Sequence, residues 1–475
     1  MNNKYYITTA IPYVNAAPHV GHALEFIQAD TIARYHKLLG EDVLLLSGGD
    51  ENALKNVQAA EQAGEDIQKF IDRHTELFRQ LAKRLNIHFD VFQKGSDKKH
   101  HFPSSQRLWE LCYKNGDIYK KSYKGLYCVG CETFYSSDEL DKNGECFEHP
   151  GKKLEEIEEE NYFFRLSKYQ DKLIELIKKD EYTIIPDFRK NETLQFLTSG
   201  LKDLSISRSN QRAHDWGVPV PNDSTQRIYV WFDALNIYQS GIGFGWDEEQ
   251  YKKWWPADLH VIGKGISRFH TVYWPAFLLS AGLHLPKKVF IHEYFTVNGQ
   301  KMSKTLGNVY DPHVAIEKYG VDALRYYCLA KISPFQDGDF SEEKLVESYN
   351  ADLANGIGNL VARVAKLLET NNIPNTTKKP TDFSDHVHST LINFQFNEAL
   401  NAIWIHIKNL DHLLDEWKPW TEEGLKSAVH WTELISGIRQ IAFDLQPFLP
   451  ETAEKILKQF ANGRIKSRPP LFPRI

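Results

Sequence analysis

The apolar and polar positions open on a short extended run. Lys4–Ala10 reads KYYITTA, rich in β-branched and aromatic residues, which predicts a strand. A helical pattern follows over roughly 21–39, with Gly40 placed to end it. Asp42–Asp50, DVLLLSGGD, then reads as a buried strand running into glycines. Strand, helix and strand at this spacing imply a right-handed parallel unit. The same grammar returns at Arg227–Leu235 (RIYVWFDAL), Asp258–Gly265 (DLHVIGKG) and Lys287–Tyr294 (KKVFIHEY), each expected to be a strand, the first two leading into helices. One parallel sheet is therefore expected, split by an insertion over roughly 117–225. Such sheets bind ligands beyond the carboxyl ends of their strands. His19, Asp50, Asp233, Gly263 and Glu293 fall at those predicted ends.

After about 340 the period changes. Ser341 suits an N-cap, with Glu342 and Glu343 in the first turn. Leu353, Ile357, Leu360, Val361, Val364 and Leu368 then recur at helical spacing. Helical segments continue to about 460, interrupted by the polar linker NNIPNTTKKPTD. The expected fold is α/β: a Rossmann-like parallel sheet split by an insertion, followed by an all-α helix bundle. Its divisions are 1–116, 117–225, 226–340 and 341–475.

Length and charge add limits. A chain of 475 residues accommodates two to four domains. The net charge of −6 does not advertise nucleic-acid binding, and it does not exclude it, because local patches do the binding. The opening MNNKYYITTAIPY lacks the apolar core of a signal peptide, and no apolar run is long enough for a membrane span. A cytoplasmic protein with no membrane association is expected.

The five cysteines refine this picture. Cys128 and Cys131 form a CxxC, and Cys146 with His149 forms a CxxH inside the insertion. Three thiolates and one imidazole make a closed tetrahedral site, so one structural Zn2+ is expected. The stretch AAPHVGHALE places His19 and His22 around Gly21; metal ligands, a catalytic pair, phosphate binders and surface residues are all open readings. VNGQKMSKTLGN contains an Asn-Gly turn signal and then Lys301 and Lys304, which alone read as a solvated basic loop. Alone, Asn359 and Arg363 read as a solvated helix face, and Trp420 as a packed aromatic.

PHVGH after the first strand, combined with KMSKT after the last, resembles the two-part signature of class I aminoacyl-tRNA synthetases. AIPYVNAAPHVGHALEFIQADTIARY, GLYCVGCETF, EEENYFFRLSKYQDKL, ISRSNQRAHDWGVPVP, YVWFDAL, RFHTVYWPAFLL and VNGQKMSKTLGNVYDP extend the resemblance to the methionyl-tRNA synthetase family over essentially the whole chain. The single knuckle is similar to the one-zinc branch. The resemblance implies a methionine–tRNA ligase. ATP and L-methionine would form methionyl-adenylate, and the methionyl group would pass to the terminal adenosine of tRNA(Met), initiator and elongator. It assigns catalysis to His19, His22, Lys301 and Lys304. It assigns ATP binding to these four with Gly21, Gly263 and Ser303, with Mg2+ accompanying the nucleotide. Gly21 would leave room for the adenine. It assigns methionine binding to Ala10, Ile11, Tyr13, Asp50, Trp231, Ala234, Tyr238, Ile266 and His270, with Asp50 facing the ammonium group. Asn359, Arg363 and Trp420 match anticodon-reading positions, so the helix bundle becomes an anticodon-binding domain.

Departures stand beside these matches. Asn52 occupies the place of the histidine in the family's usual Asp-Glu-His-Gly run. Gly265 replaces a common Asp near the ribose, and Thr305 replaces a common Ser. No appended dimerisation module is seen, so a monomer is expected, with no DNA partner. A cysteinyl-tRNA synthetase would disperse its zinc ligands over the catalytic sheet, and the local knuckle argues against it. A tRNA-binding paralogue without catalysis is weakened by the intact histidines and lysines.

Overall fold

The computed structural model describes residues 3–128, 133–135, 140–146, 151, 153–302 and 308–475. Its chain gathers into two compact units. One comprises Met1–Pro18, Asp42–Gln80 and His88–His292; the other comprises His19–Glu41, Leu81–Ile87 and Glu293–Ile475.

The first unit is built on six strands. Their spatial order is Val91–Lys94, Asp42–Gly49, Lys4–Thr9, Leu259–Gly263, Lys288–His292 and Thr183–Ile185, and every neighbouring pair is parallel. The order reverses between Lys4–Thr9 and Leu259–Gly263, which makes their carboxyl ends the topological switch point. Tyr6, Leu44 and Leu46 from the sheet join Trp109, Phe164, Phe232, Trp274 and Phe277 in one core.

Three of the expected strands are present: Lys4–Thr9, Leu259–Gly263 and Lys288–His292. Asp42–Gly49 makes a fourth. The expected strand Arg227–Leu235 is corrected. Asp223–Ile228 is a strand of a small antiparallel sheet, and Val230–Leu235 is a helix. All six residues of that helix are buried, so the sequence shows no polar face. A short run apolar on every side has the same signature as a buried strand. Asp233 therefore sits on a helix rather than at a strand end. Val91–Lys94 and Thr183–Ile185 join the sheet although neither is long enough to show periodicity. The latter comes from within 117–225 and forms the sheet edge.

The same stretch contributes a four-stranded antiparallel sheet ordered Thr133–Tyr135, Ile118–Cys128, Glu155–Phe164 and Leu204–Ser205. It explains two opposed charge runs in the sequence. YKKSYKG pairs against EEIEEEN, and Lys124 reaches Glu156 at 2.9 Å.

In the second unit the periodic segments are helices. Ser341 caps Glu342–Ser348 by accepting from the Lys344 amide, as expected. Leu353, Ile357, Leu360, Val361, Val364 and Leu368 are all buried. Asn359–Thr370, Phe396–Trp417, Ala428–Asp444 and Pro450–Gln459 form the helical part. At Gly437 an added Cβ would lie 2.9 Å from the Leu410 methyls, so two helices meet there without a side chain between them. Within the polar linker, Pro374–Asn375 pairs with Gly463–Arg464. Among the described residues no helix is long and apolar enough to cross a membrane.

Candidate active site

His19 and His22 stand at the start of the helix Val20–Leu38, in the second unit. His19 is its N-cap, with extended backbone. Its Nδ1 accepts from the Gly21 amide at 3.1 Å, and His22 Nδ1 accepts from the His19 amide at 3.1 Å. The rings are tilted against each other with centroids 3.9 Å apart. Two imidazoles thus perform the reciprocal capping usually done by Ser/Thr and Glu/Gln. With both Nδ1 atoms accepting, each neutral ring carries its proton on Nε2. Burial, and next His19 itself, hold the His22 imidazole well below 6.5. The pair presents neutral N–H donors at a helix N-terminus, where backbone amides and the helix dipole already favour anions.

The lysine segment belongs to the same unit. Asn298 and Gly299 both have positive φ, 52° and 74°, and they join the strands Phe295–Val297 and Gln300–Lys301. This is the two-residue turn that the Asn-Gly pair signalled. The segment then meets the histidine helix. The Val20 amide donates to the Tyr310 carbonyl at 3.1 Å. A Cβ on Gly21 would lie 2.9 Å from His19 Cε1 and 3.1 Å from Met302 Cε. The open side of Gly21 thus faces the side chains of His19 and Met302, which would have to shift to admit a Cβ. Ser303 and Lys304 lie outside the described residues.

The residues assigned to methionine lie in the first unit, around the switch point. Ala10, Tyr238 and Trp231 belong to its core, with Ile11, Tyr13 and Ile266 packed against it. Asp50 follows Asp42–Gly49, is almost fully buried, bridges to Tyr13, and donates its amide to the Pro12 carbonyl at 2.9 Å. Trp231 stacks on Phe269 with centroids 3.7 Å apart and a 5° interplanar angle, and meets Tyr13 edge-on at 6.1 Å. Ala234 lies one turn further on the same helix and is buried. His270 lies in a π-helical turn, Phe269–Tyr273, a form common at functional sites. Its Nδ1 is 3.0 Å from the Ile266 carbonyl, so it donates there, and Nε2 accepts from the Tyr238 hydroxyl at 2.7 Å. Burial holds this imidazole down at about 4. The result is a cluster of aromatic rings, Tyr13, Trp231 and Phe269, near a neutral polar pair, Tyr238 and His270, with the buried Asp50 bridged to Tyr13. Gly263 ends its strand at the switch point, and Gly265 falls in the single turn Lys264–Ile266 that follows.

Two of the expected zinc ligands are described. Cys128 and Cys146 are buried and their Sγ atoms stand 3.2 Å apart, too far for a disulfide. Two thiolates sharing one tetrahedral zinc stand about 3.7 Å apart for Zn–S bonds of about 2.3 Å. The two buried thiols face each other and are closer together than that spacing. Cys131 and His149 lie outside the described residues, and no larger metal-ligating group occurs among those described.

In the helical part, Asn359 begins the helix Asn359–Thr370 and is exposed. Arg363 is held by Asp411 at 3.2 Å and Asp415 at 3.0 Å, both on Phe396–Trp417. Trp420, three residues beyond that helix, is 54% exposed. The packed-aromatic reading of Trp420 alone is thereby overturned, because a packed indole would be covered.

Sequence reasoning singled out Asp233 and Asn52 separately but missed the link between them, and it missed Phe269, His101 and Ser105. The aromatic run RFHTVYWP was a signal for Phe269. Nothing local signalled His101 or Ser105.

Residues 5–365 match the family described as tRNA synthetases class I (M). The methionine–tRNA ligase of Thermotoga maritima is 43% identical over 96% of this chain and 75% of its own length. That of Rhizobium meliloti is 40% identical over 99% and 98%. The Mycobacterium tuberculosis methionyl-tRNA synthetase in complex with methionyl-adenylate superposes with a TM-score of 0.90 at 38% identity, covering 99% of this chain and all of that one. The chain belongs to the methionyl-tRNA synthetase family, the methionine–tRNA ligases of class I.

Proposed function

We propose that this chain activates L-methionine with ATP and transfers the methionyl group to the 3′-terminal adenosine of tRNA(Met). The methionine carboxylate attacks the α-phosphate and pyrophosphate leaves; a ribose hydroxyl of the tRNA then attacks the methionyl carbonyl of the adenylate, forming the ester as the acyl–phosphate bond breaks and AMP leaves. The observation that carries the reading is the meeting of the two signature halves. The helix capped by His19 and His22 receives the segment just beyond the lysines through Val20 and Tyr310. Charge develops on phosphate oxygens in the first step, so positioned donors do most of the work. His19 and His22 supply two N–H donors; Lys301, Ser303 and Lys304 answer from the leaving-group side; Gly21 and Gly263 let the nucleotide approach backbone. Mg2+ bound with ATP supplies further charge neutralisation.

In this reading Asp50 takes the methionine ammonium, and Ala10, Ile11, Tyr13, Trp231, Ala234, Tyr238, Ile266 and His270 enclose the side chain. The polarisable thioether suits an aromatic pocket. Asn359, Arg363 and Trp420 read anticodon bases, by hydrogen bonds and by stacking on an indole face. The exposure of Trp420 supports that role. One zinc ion held by Cys128, Cys131, Cys146 and His149 fixes the knuckle without entering the reaction. The protein works as a cytoplasmic monomer.

The test is methionine-dependent exchange of labelled pyrophosphate into ATP. Exchange with methionine is expected. No exchange, or faster exchange with cysteine, overturns the reading.

A further inference from the structure

We propose that Asp233 is the positioning residue that joins the two halves of the methionine pocket, and that Asn52 and His101 hold it there. This rests on the methionine-pocket reading above. Asp233 lies on the helix Val230–Leu235, between Trp231 and Ala234 in sequence, and its side chain is 2% exposed.

Its carboxylate is surrounded by donors from two other parts of the fold. Oδ2 accepts from Asn52 Nδ2 at 2.6 Å. Oδ1 is met by His101 Nε2 at 2.7 Å and by Ser105 Oγ at 2.8 Å, both from the helix His101–Lys114. Asn52 gives its second amide hydrogen to the Gly95 carbonyl at 2.8 Å. It stands two residues after Asp50, on the loop leaving Asp42–Gly49. The other ring nitrogen of His101 lies 2.7 Å from Ser240 Oγ, on the short helix that carries Tyr238. Asn236, between the two short helices, donates to Ser104 Oγ at 2.9 Å.

One carboxylate therefore ties the loop that presents Asp50 to the helices that present Trp231, Ala234 and Tyr238. No partner touches substrate in this scheme; each acts by fixing where the pocket's two walls stand. A buried carboxylate is retained only where its acceptors are satisfied, and here the three donors that satisfy it come from outside its own helix. Small displacements suffice to matter, because misplacement of a bound substrate by about 1 Å costs about 10²-fold in rate. The position of Asn52 gains meaning from the departure it represents. Asparagine offers two hydrogens from one nitrogen, one for Asp233 and one for Gly95, in any protonation state; a neutral histidine has one N–H.

The experiment is pyrophosphate exchange with the full chain, varying methionine and ATP separately. Asn52→Leu, similar in shape and without donors, is expected to raise the methionine KM about tenfold or more, with the ATP KM within about twofold. Asn52→Asp keeps the outline and opposes a like charge to Asp233, and is expected to raise it at least as far. Asn52→His, which keeps one donor, is expected to recover most of the loss. A fall in kcat alone, with the methionine KM unchanged in both variants, means a merely structural network and overturns the proposal. Absence of exchange in the unsubstituted protein would instead overturn the methionine reading itself.

Discussion

His19 and His22 show how two residues of one type can be given one role by backbone contacts. Each spends Nδ1 on a helix-cap amide, which leaves the proton on Nε2. His22→Ala removes one preorganised donor and should slow methionine-dependent exchange by about 10²–10³-fold, the usual cost of losing such a donor. Its affinity for tRNA(Met), measured by filter binding, should stay within about twofold. His270 gives a pH prediction. Its folded value of about 4 lies below 6.5, so the unfolded chain takes up that proton first as pH falls. Its contribution is whole above about 6.5 and is lost progressively towards 4. Between pH 7 and pH 5 the fold should lose about 2 kcal/mol from this group. Urea unfolding at the two pH values checks this, and a His270→Gln variant should lose about 2 kcal/mol less over the same interval. The motif PHVGH pointed to both histidines in the sequence. Their tautomers could not be read there, because they depend on which amides the rings meet.

Among the elements, the histidine helix is anchored far from its cap. Asp30, buried on Val20–Leu38, pairs with Arg325 at 2.8 Å. Arg325 is fully buried on Val321–Tyr326 and also donates to the carbonyls of Phe448, Pro447 and Leu85. Removing one partner of a buried pair leaves the other uncompensated, at about 3–5 kcal/mol. Arg325→Leu should lower the urea midpoint by that equivalent, whereas Lys124→Ala, which breaks an exposed pair with Glu156, should change it by less than about 1 kcal/mol. Long periodic elements were legible: the first helix, the strands flanking the switch point and the Ser341 cap all follow from local pattern. Val230–Leu235 was not, because a helix of six buried residues has no polar face to reveal its period. Thr183–Ile185 was not, because three residues cannot show one.

At the scale of the whole molecule, the zinc prediction belongs to the first unit. Metal analysis should find one zinc per chain, and chelation should lower the unfolding midpoint, since a structural site stabilises only the folded chain. A metal content of zero removes the claim. The parallel sheet and the helical part were legible at this scale, whereas the Asp233 cluster was not. Its members stand at 52, 101, 105 and 240, too far apart for any local pattern to link them. The central pairing of the sheet has a further consequence, in time rather than in space. Thr8 meets His260 across 252 positions of sequence, on the two strands that form the switch point. At about 5–20 residues per second, the first strand waits roughly 13–50 s on the ribosome before its inner neighbour has been made. Throughout that interval its edge is open, and a nascent chain of this protein depends on whatever covers a lone β-edge until synthesis catches up.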